Sequence, residues 1–124
     1  MKKNKTAYVV IAHGSRETGA NRDFLGLVKR LKARLKGAAW PAFLELAKPL
    51  IPEAIDGAVE RGAREIVVLP LMFFPGRHAR KDIPALIEAA KERHPEVDFH
   101  YAGPLGEDPL LIKLLGQKAK RTKS

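Results

Sequence analysis

The sequence predicts an α/β fold: one small three-layer domain, a four-stranded parallel sheet with helices on both faces. Three observations lead there. Strand-like and helix-like segments alternate along the whole chain, which is the signature of βαβ units and right-handed crossovers. The 124 residues are the length of one domain, and 45% hydrophobic against 30% charged residues is a globular balance. Neither an internal repeat nor a Gly/Pro/Ser-rich linker interrupts the alternation.

Residues 6–12, Thr-Ala-Tyr-Val-Val-Ile-Ala, read as a first buried strand. Asn21 to Leu35 follows as an amphipathic helix, because Phe24, Leu25, Leu27, Val28, Leu31 and Leu35 recur near i, i+3, i+4 and i+7, and Gly37 stops it. Trp40 to Leu46 is a second strand, confined by Pro41 to a sheet edge. Pro52 opens a second helix that ends at Arg61 before Gly62. Residues 65–71 form the most apolar strand. After an eleven-residue loop from Met72 to Asp82, Asp82 caps a helix to about Arg93, ended by Pro95. Val97 to Ala102 alternates as a fourth strand, and Asp108-Pro109 starts a last helix through Leu115. An edge-type second strand fits the flavodoxin-like order 2-1-3-4, whose topological switch point lies between strands 1 and 3.

That order gives the histidines their meaning. His13 directly follows the first strand, and His78 lies in the long loop after the third, so both belong on the ligand-binding rim beyond the carboxyl ends of neighbouring strands. Glu45, near the end of strand 2, faces the same rim, unless it simply pairs with Lys48. Imidazole suits a borderline divalent metal and exchanges protons near neutral pH. His94, before Pro95, reads as a residue complementing a helix C-terminus, and His100 as structural. Ser15, Arg16, Arg77, Arg80 and Lys81 cluster on the two rim loops, and as a group the cations suit an anionic ligand.

Composition narrows the chemistry. Without cysteine there are no disulfides, thiolate metal sites or iron–sulfur clusters. No apolar run is long enough to span a bilayer and no signal-type cleavage site follows the basic start, so a cytoplasmic protein without membrane attachment is expected. The net charge of +9 is concentrated at the ends: Lys2, Lys3, Lys5, Lys118, Lys120, Arg121 and Lys123 carry seven of the 23 basic charges, leaving 16 against 14 acidic ones. The expected layout is therefore a basic extension (1–5), a nearly neutral domain (6–117) and a basic tail (118–124). The tail reads as solubilising rather than as a specific nucleic-acid site, since no aromatic residues interleave with it. A phosphohistidine-type phosphatase is a competing reading of His13-Gly14-Ser15-Arg16, although Ala12 stands where that chemistry has an arginine.

Four motifs in order carry a resemblance. Ala12-His13-Gly14-Ser15-Arg16, Ala42-Phe43-Leu44-Glu45, Leu69-Pro70-Leu71 with Gly76-Arg77-His78 and Asp82-Ile83-Pro84, and Gly103-Pro104-Leu105-Gly106 are similar to those of the small class II tetrapyrrole chelatases of the CbiX type. The resemblance runs from about residue 6 to 115 and implies a chelatase-like fold. It implies a sirohydrochlorin cobaltochelatase, a lyase of anaerobic cobalamin biosynthesis, with iron or nickel as alternatives on the same scaffold. The implied catalytic residues are His13 and His78, the implied metal ligands His13, Glu45 and His78, with Co²⁺ as substrate and no permanently bound cofactor. The family's two-domain members resemble a fused duplicate, so this shorter chain is expected to form a homodimer, with the apolar loop Leu71 to Pro75 as a candidate interface. The histidine-rich insertion of some members is absent here.

Overall fold

The computed structural model describes residues 5–35 and 38–123. Eight elements alternate: β1 (Lys5–Ala12), α1 (Thr18–Arg34), β2 (Ala38–Phe43), α2 (Ile51–Glu60), β3 (Ala63–Pro70), α3 (Arg77–Arg93), β4 (Asp98–Tyr101) and α4 (Pro109–Lys123). The sheet is parallel throughout and ordered β2-β1-β3-β4, as the sequence predicts.

Alternation along the central strands sorts the core onto two faces. Val9 and Ile11 of β1, with Ile66 and Val68 of β3, pack with Ile51 and Ile55 of α2 and Ile83 and Ile87 of α3. On the other face Val10 and Phe43 meet Phe24 and Val28 of α1. The Phe24 and Phe43 rings lie edge to face at 5.2 Å, a geometry that the ring quadrupoles favour. Pro41 is accommodated because β2 is an edge strand whose ladder runs only to β1.

Several boundaries differ from the sequence reading. β2 begins at Ala38 rather than Trp40, since Ala38 and Ala39 are held in register with Ala7 and Tyr8, and it ends at Phe43, leaving Glu45 just past the strand. α1 begins at Thr18, and the stop assigned to Gly37 lies outside the described residues. α4 continues through the basic segment to Lys123, in keeping with the good helix propensity of Lys and Arg. None of its residues is buried, and Leu110, Ile112, Leu114 and Leu115 are exposed.

The largest correction concerns α3. It starts at Arg77 behind the N-cap Gly76, with the Arg80 N–H donating to the Gly76 carbonyl at 3.1 Å. His78 therefore sits on the first helical turn, not in a loop, and Asp82 lies inside the helix rather than capping it. Pro84 is in the helix interior and removes one backbone hydrogen bond. The buried stripe Ala79, Ile83, Ile87 and Ala90, each 5% exposed or less, outweighs that loss.

The end of α3 is tied to α2 through Asp56. Its Oδ1 accepts from His94 Nε2 at 2.7 Å and from Arg93 Nη2 at 2.9 Å. Partial burial raises the Asp56 pKa, but the hydrogen bonds from His94 and Arg93 and their charges outweigh it and hold the carboxyl below its ordinary value. A group with a depressed folded pKa contributes stability that is present above its unfolded pKa and lost as pH falls through the folded one. With the side chain 42% exposed, solvent screens much of this. We expect Asp56→Asn to cost roughly 0.5–1 kcal/mol at neutral pH. In urea melts across pH, that difference from the parent should shrink below about pH 4; a gap that stays constant into strong acid would remove the carboxylate from the account.

Candidate active site

The carboxyl end of the sheet is assembled by backbone bonds that run past the regular strands. Leu44 N–H donates to the Ala12 carbonyl at 2.9 Å and Glu45 N–H to the His13 carbonyl at 3.1 Å. These two bonds carry the β1–β2 pairing one step beyond each strand and set the Glu45 side chain beside that of His13. The segment after Glu45 folds back, with Phe43 N–H donating to the Pro49 carbonyl at 2.8 Å. Gly14, at a φ of 101°, then turns β1 away. A Cβ at this position would collide with the Glu45 carbonyl oxygen, so the two loops can approach this closely only over glycine.

His13 Nε2 lies 2.7 Å from Glu45 Oε2, and each side chain is a little over half exposed. A carboxylate only accepts, so this contact suits an imidazole with its hydrogen on Nε2, a tautomer that leaves the Nδ1 lone pair available. Glu45 thus pairs with His13 and not with Lys48.

His78 comes from the other side of the switch point. His13, Leu44 and Glu45 form one wall of a cavity of about 630 Å³, and His78, Asp82, Ala85 and Leu86 form the other. The α3 wall is one helical face, at i, i+4, i+7 and i+8 from His78. Among the described residues no three His, Asp or Glu side chains are gathered closely enough to enclose a metal ion. The potential donors are instead divided between the two walls of an open cleft.

The loop leading to His78 is braced from the far edge of the sheet. Leu105 N–H donates to the Met72 carbonyl at 2.8 Å and Gly106 N–H to the Phe73 carbonyl at 2.9 Å. A Cβ on Gly106 would strike that carbonyl oxygen and the Phe74 ring. This explains physically why a Gly-Pro-Leu-Gly segment after β4 belongs to the same site as His78.

The remaining residues singled out from sequence are placed elsewhere. Ser15 is part of the entry to α1: its hydroxyl accepts from Glu17 N–H, and its backbone N–H and carbonyl bond the Asn21 amide. Arg16 is exposed on the same loop, outside the residues that line the cleft. Arg77, Arg80 and Lys81, with Pro75, line a separate depression of about 410 Å³ on the neighbouring face of α3. His94 bonds Asp56, and His100 bonds Glu65 at 3.1 Å, both away from the cleft. Sequence reasoning missed Asp82, Ala85 and Leu86 as wall residues. Their spacing from His78 was the available signal, hidden by assigning the helix start to Asp82.

Fold and site together define a doubly wound α/β unit, with imidazoles facing each other across a cleft at the switch point. A family model, CbiX, matches residues 7–122, and the chain belongs to that family. It is 32% identical over 117 residues to the sirohydrochlorin ferrochelatase of Priestia megaterium, covering 94% of this chain and 44% of that protein. It is 32% identical over 116 residues to the sirohydrochlorin cobaltochelatase of Sulfolobus acidocaldarius, covering 94% and 91%. The crystal structure of the sirohydrochlorin chelatase SirB from Bacillus subtilis subspecies spizizenii, in complex with cobalt, superposes with a TM-score of 0.85 at 31% identity, over 94% of this chain and 50% of that one. The chain thus spans between a third and a half of the length of several relatives it matches, and nearly all of others.

Proposed function

We propose that this protein is a sirohydrochlorin chelatase that inserts a divalent metal into the tetrapyrrole, with Co²⁺ as its principal substrate ion. The observation that carries the reading is the His13–Glu45 pair facing His78 across one cleft at the carboxyl end of the sheet. Relatives named for cobalt and for iron share the family, so Fe²⁺ insertion is the alternative. Cobalt is favoured because the Sulfolobus acidocaldarius relative, which matches this chain nearly end to end, is a cobaltochelatase.

Metallation has to strip water from the ion and remove two pyrrole N–H protons. His13 Nδ1 offers a lone pair to the ion or to a departing proton, and an imidazolium formed there faces the Glu45 carboxylate, which offsets its charge. His78 supplies the second imidazole from α3. The apolar Leu44, Ala85 and Leu86 suit the flat face of a macrocycle. Sirohydrochlorin carries carboxylates around its edge, which match Arg77, Arg80 and Lys81 in the adjoining depression, with Ser15 and Arg16 on the opposite loop.

A second copy of the chain supports the same chemistry by covering the open side of the cleft. Phe73 and Phe74, 52% and 75% exposed, together with the uncovered leucines of α4, leave apolar surface of the kind that marks interfaces.

In a spectrophotometric insertion assay run in parallel with Co²⁺, Fe²⁺ and Ni²⁺, the parent should metallate sirohydrochlorin fastest with Co²⁺. His13→Ala and His78→Ala should each slow insertion about 10²-fold or more while melting like the parent, since both side chains are exposed. Parent-like turnover in either variant would refute the assignment. Neutralising Arg16, Arg77, Arg80 and Lys81 together should raise the KM for sirohydrochlorin more than it lowers kcat, the mark of lost uniform binding. An unchanged KM would send the substrate's carboxylates elsewhere. Light scattering at micromolar concentration should give a dimer that Phe73→Glu or Phe74→Glu dissociates, and a fully active parent monomer would exclude the paired arrangement.

A further inference from the structure

Two carboxylates line the cleft, and they are not equivalent. Glu45 is engaged by His13 at 2.7 Å. Asp82 makes no hydrogen bond or ion pair among the described residues, although Arg77, Arg80 and Lys81 all lie within five positions of it on α3. Helical geometry accounts for this: those cations line the adjoining depression, whereas Asp82 shares the cleft face with His78, Ala85 and Leu86. Nor does Asp82 serve the helix end, because Gly76 occupies the N-cap and Asp82 stands in the second turn. Its side chain is exposed on the cleft face, where an incoming cation can reach it.

We infer that Asp82 and His78, one helical turn apart, form the first landing site for the hydrated divalent ion. An i, i+4 pair on one face brings an imidazole nitrogen and a carboxylate oxygen within reach of one ion. Each displaces one water, and no proton or electron moves in this step. Two protein donors leave most of the hydration shell in place, so the ion is held loosely enough to pass on. The opposite wall, where Glu45 already bonds His13, is then free to take protons. The inference rests on the proposed chelatase reading for the onward step, but the landing site itself is a property of the metal alone.

The test uses the full chain without tetrapyrrole. Co²⁺ is titrated into the parent, Asp82→Asn, Asp82→Ser, Asp82→Glu and His78→Ala, followed by calorimetry and by the visible absorption of the ion. Asp82→Asn, Asp82→Ser and His78→Ala should each weaken Co²⁺ binding by about tenfold, the scale of one lost charged contact. Asp82→Glu should restore most of it. In insertion assays Asp82→Asn should raise the KM for Co²⁺ while leaving the KM for sirohydrochlorin unchanged. Unaltered Co²⁺ affinity in both neutral variants would overturn the inference, as would a fall in kcat alone, which would assign Asp82 to the proton or macrocycle side. If the parent binds Co²⁺ through Asp82 yet inserts no metal, the chelatase reading fails and the landing site stands.

Discussion

β1 lies between β2 and β3, with Val9 and Ile11 fully buried, and its carboxyl end is pinned on both sides. Leu71 N–H donates to the Ile11 carbonyl at 2.7 Å from the β3 side, while Leu44 and Glu45 donate to Ala12 and His13 from the β2 side. These bonds continue a parallel ladder into what would otherwise be loop. They convert the burial of an apolar strand into a fixed separation between an imidazole and a carboxylate, even though both side chains are half exposed. Side-chain packing could not position such exposed groups; the backbone does it for them. Gly14 is the condition for this arrangement, because the Glu45 carbonyl occupies the space that any Cβ would need.

α3 supplies the opposing wall by carrying three chemistries at helical spacing. Ala79, Ile83, Ile87 and Ala90 face the core, His78, Asp82, Ala85 and Leu86 face the cleft, and Arg77, Arg80 and Lys81 face the neighbouring depression. The buried stripe fixes the helix's rotation, so the other two faces have no freedom to exchange. A volume change at Ile83 or Ile87 would therefore be felt at His78 without touching it. The brace from Leu105 and Gly106 to the Met72 and Phe73 carbonyls holds the approach to this helix, linking β4 to a site that its own side chains do not line.

Strand order and the convergence of His13, Glu45 and His78 were legible because they follow from periodicity and topology. Alternating apolar runs placed β1 and β3 side by side, and Pro41 placed β2 at the edge. The form of the His78 segment was not legible by the same route. Asp82 followed by Pro84 is a strong local helix-start signal, and Met72 to Gly76 reads as loop. Local signals lost to a tertiary one: Ala79, 3% exposed, extends the buried stripe of Ile83, Ile87 and Ala90 one turn earlier. Misplacing the start by one turn concealed the cleft face of α3, and with it Asp82. Glu45 had two available partners in sequence, Lys48 and His13, and only the extended ladder decides between them. The +9 charge likewise misleads as a total, since the site's electrostatics depend on which cations share a helical face with which carboxylate.

A cleft whose donors are split between two walls behaves differently from an enclosed metal site. An enclosed set of imidazoles and carboxylates would hold a Co²⁺ or Fe²⁺ ion with a completed coordination shell, and release would require breaking it. Here the donors stand on separate elements, one fixed by a sheet ladder and the other by a helix stripe, so an ion can meet one wall before the other. Donor identity does not select the metal either, because imidazole affinity rises steadily from Fe²⁺ through Co²⁺ to Ni²⁺. What distinguishes the two walls is pairing: the carboxylate on the sheet side is already bonded to an imidazole, whereas the one on α3 is not. Donors divided in this way across one open cleft suit a protein that hands an ion on better than one that keeps it.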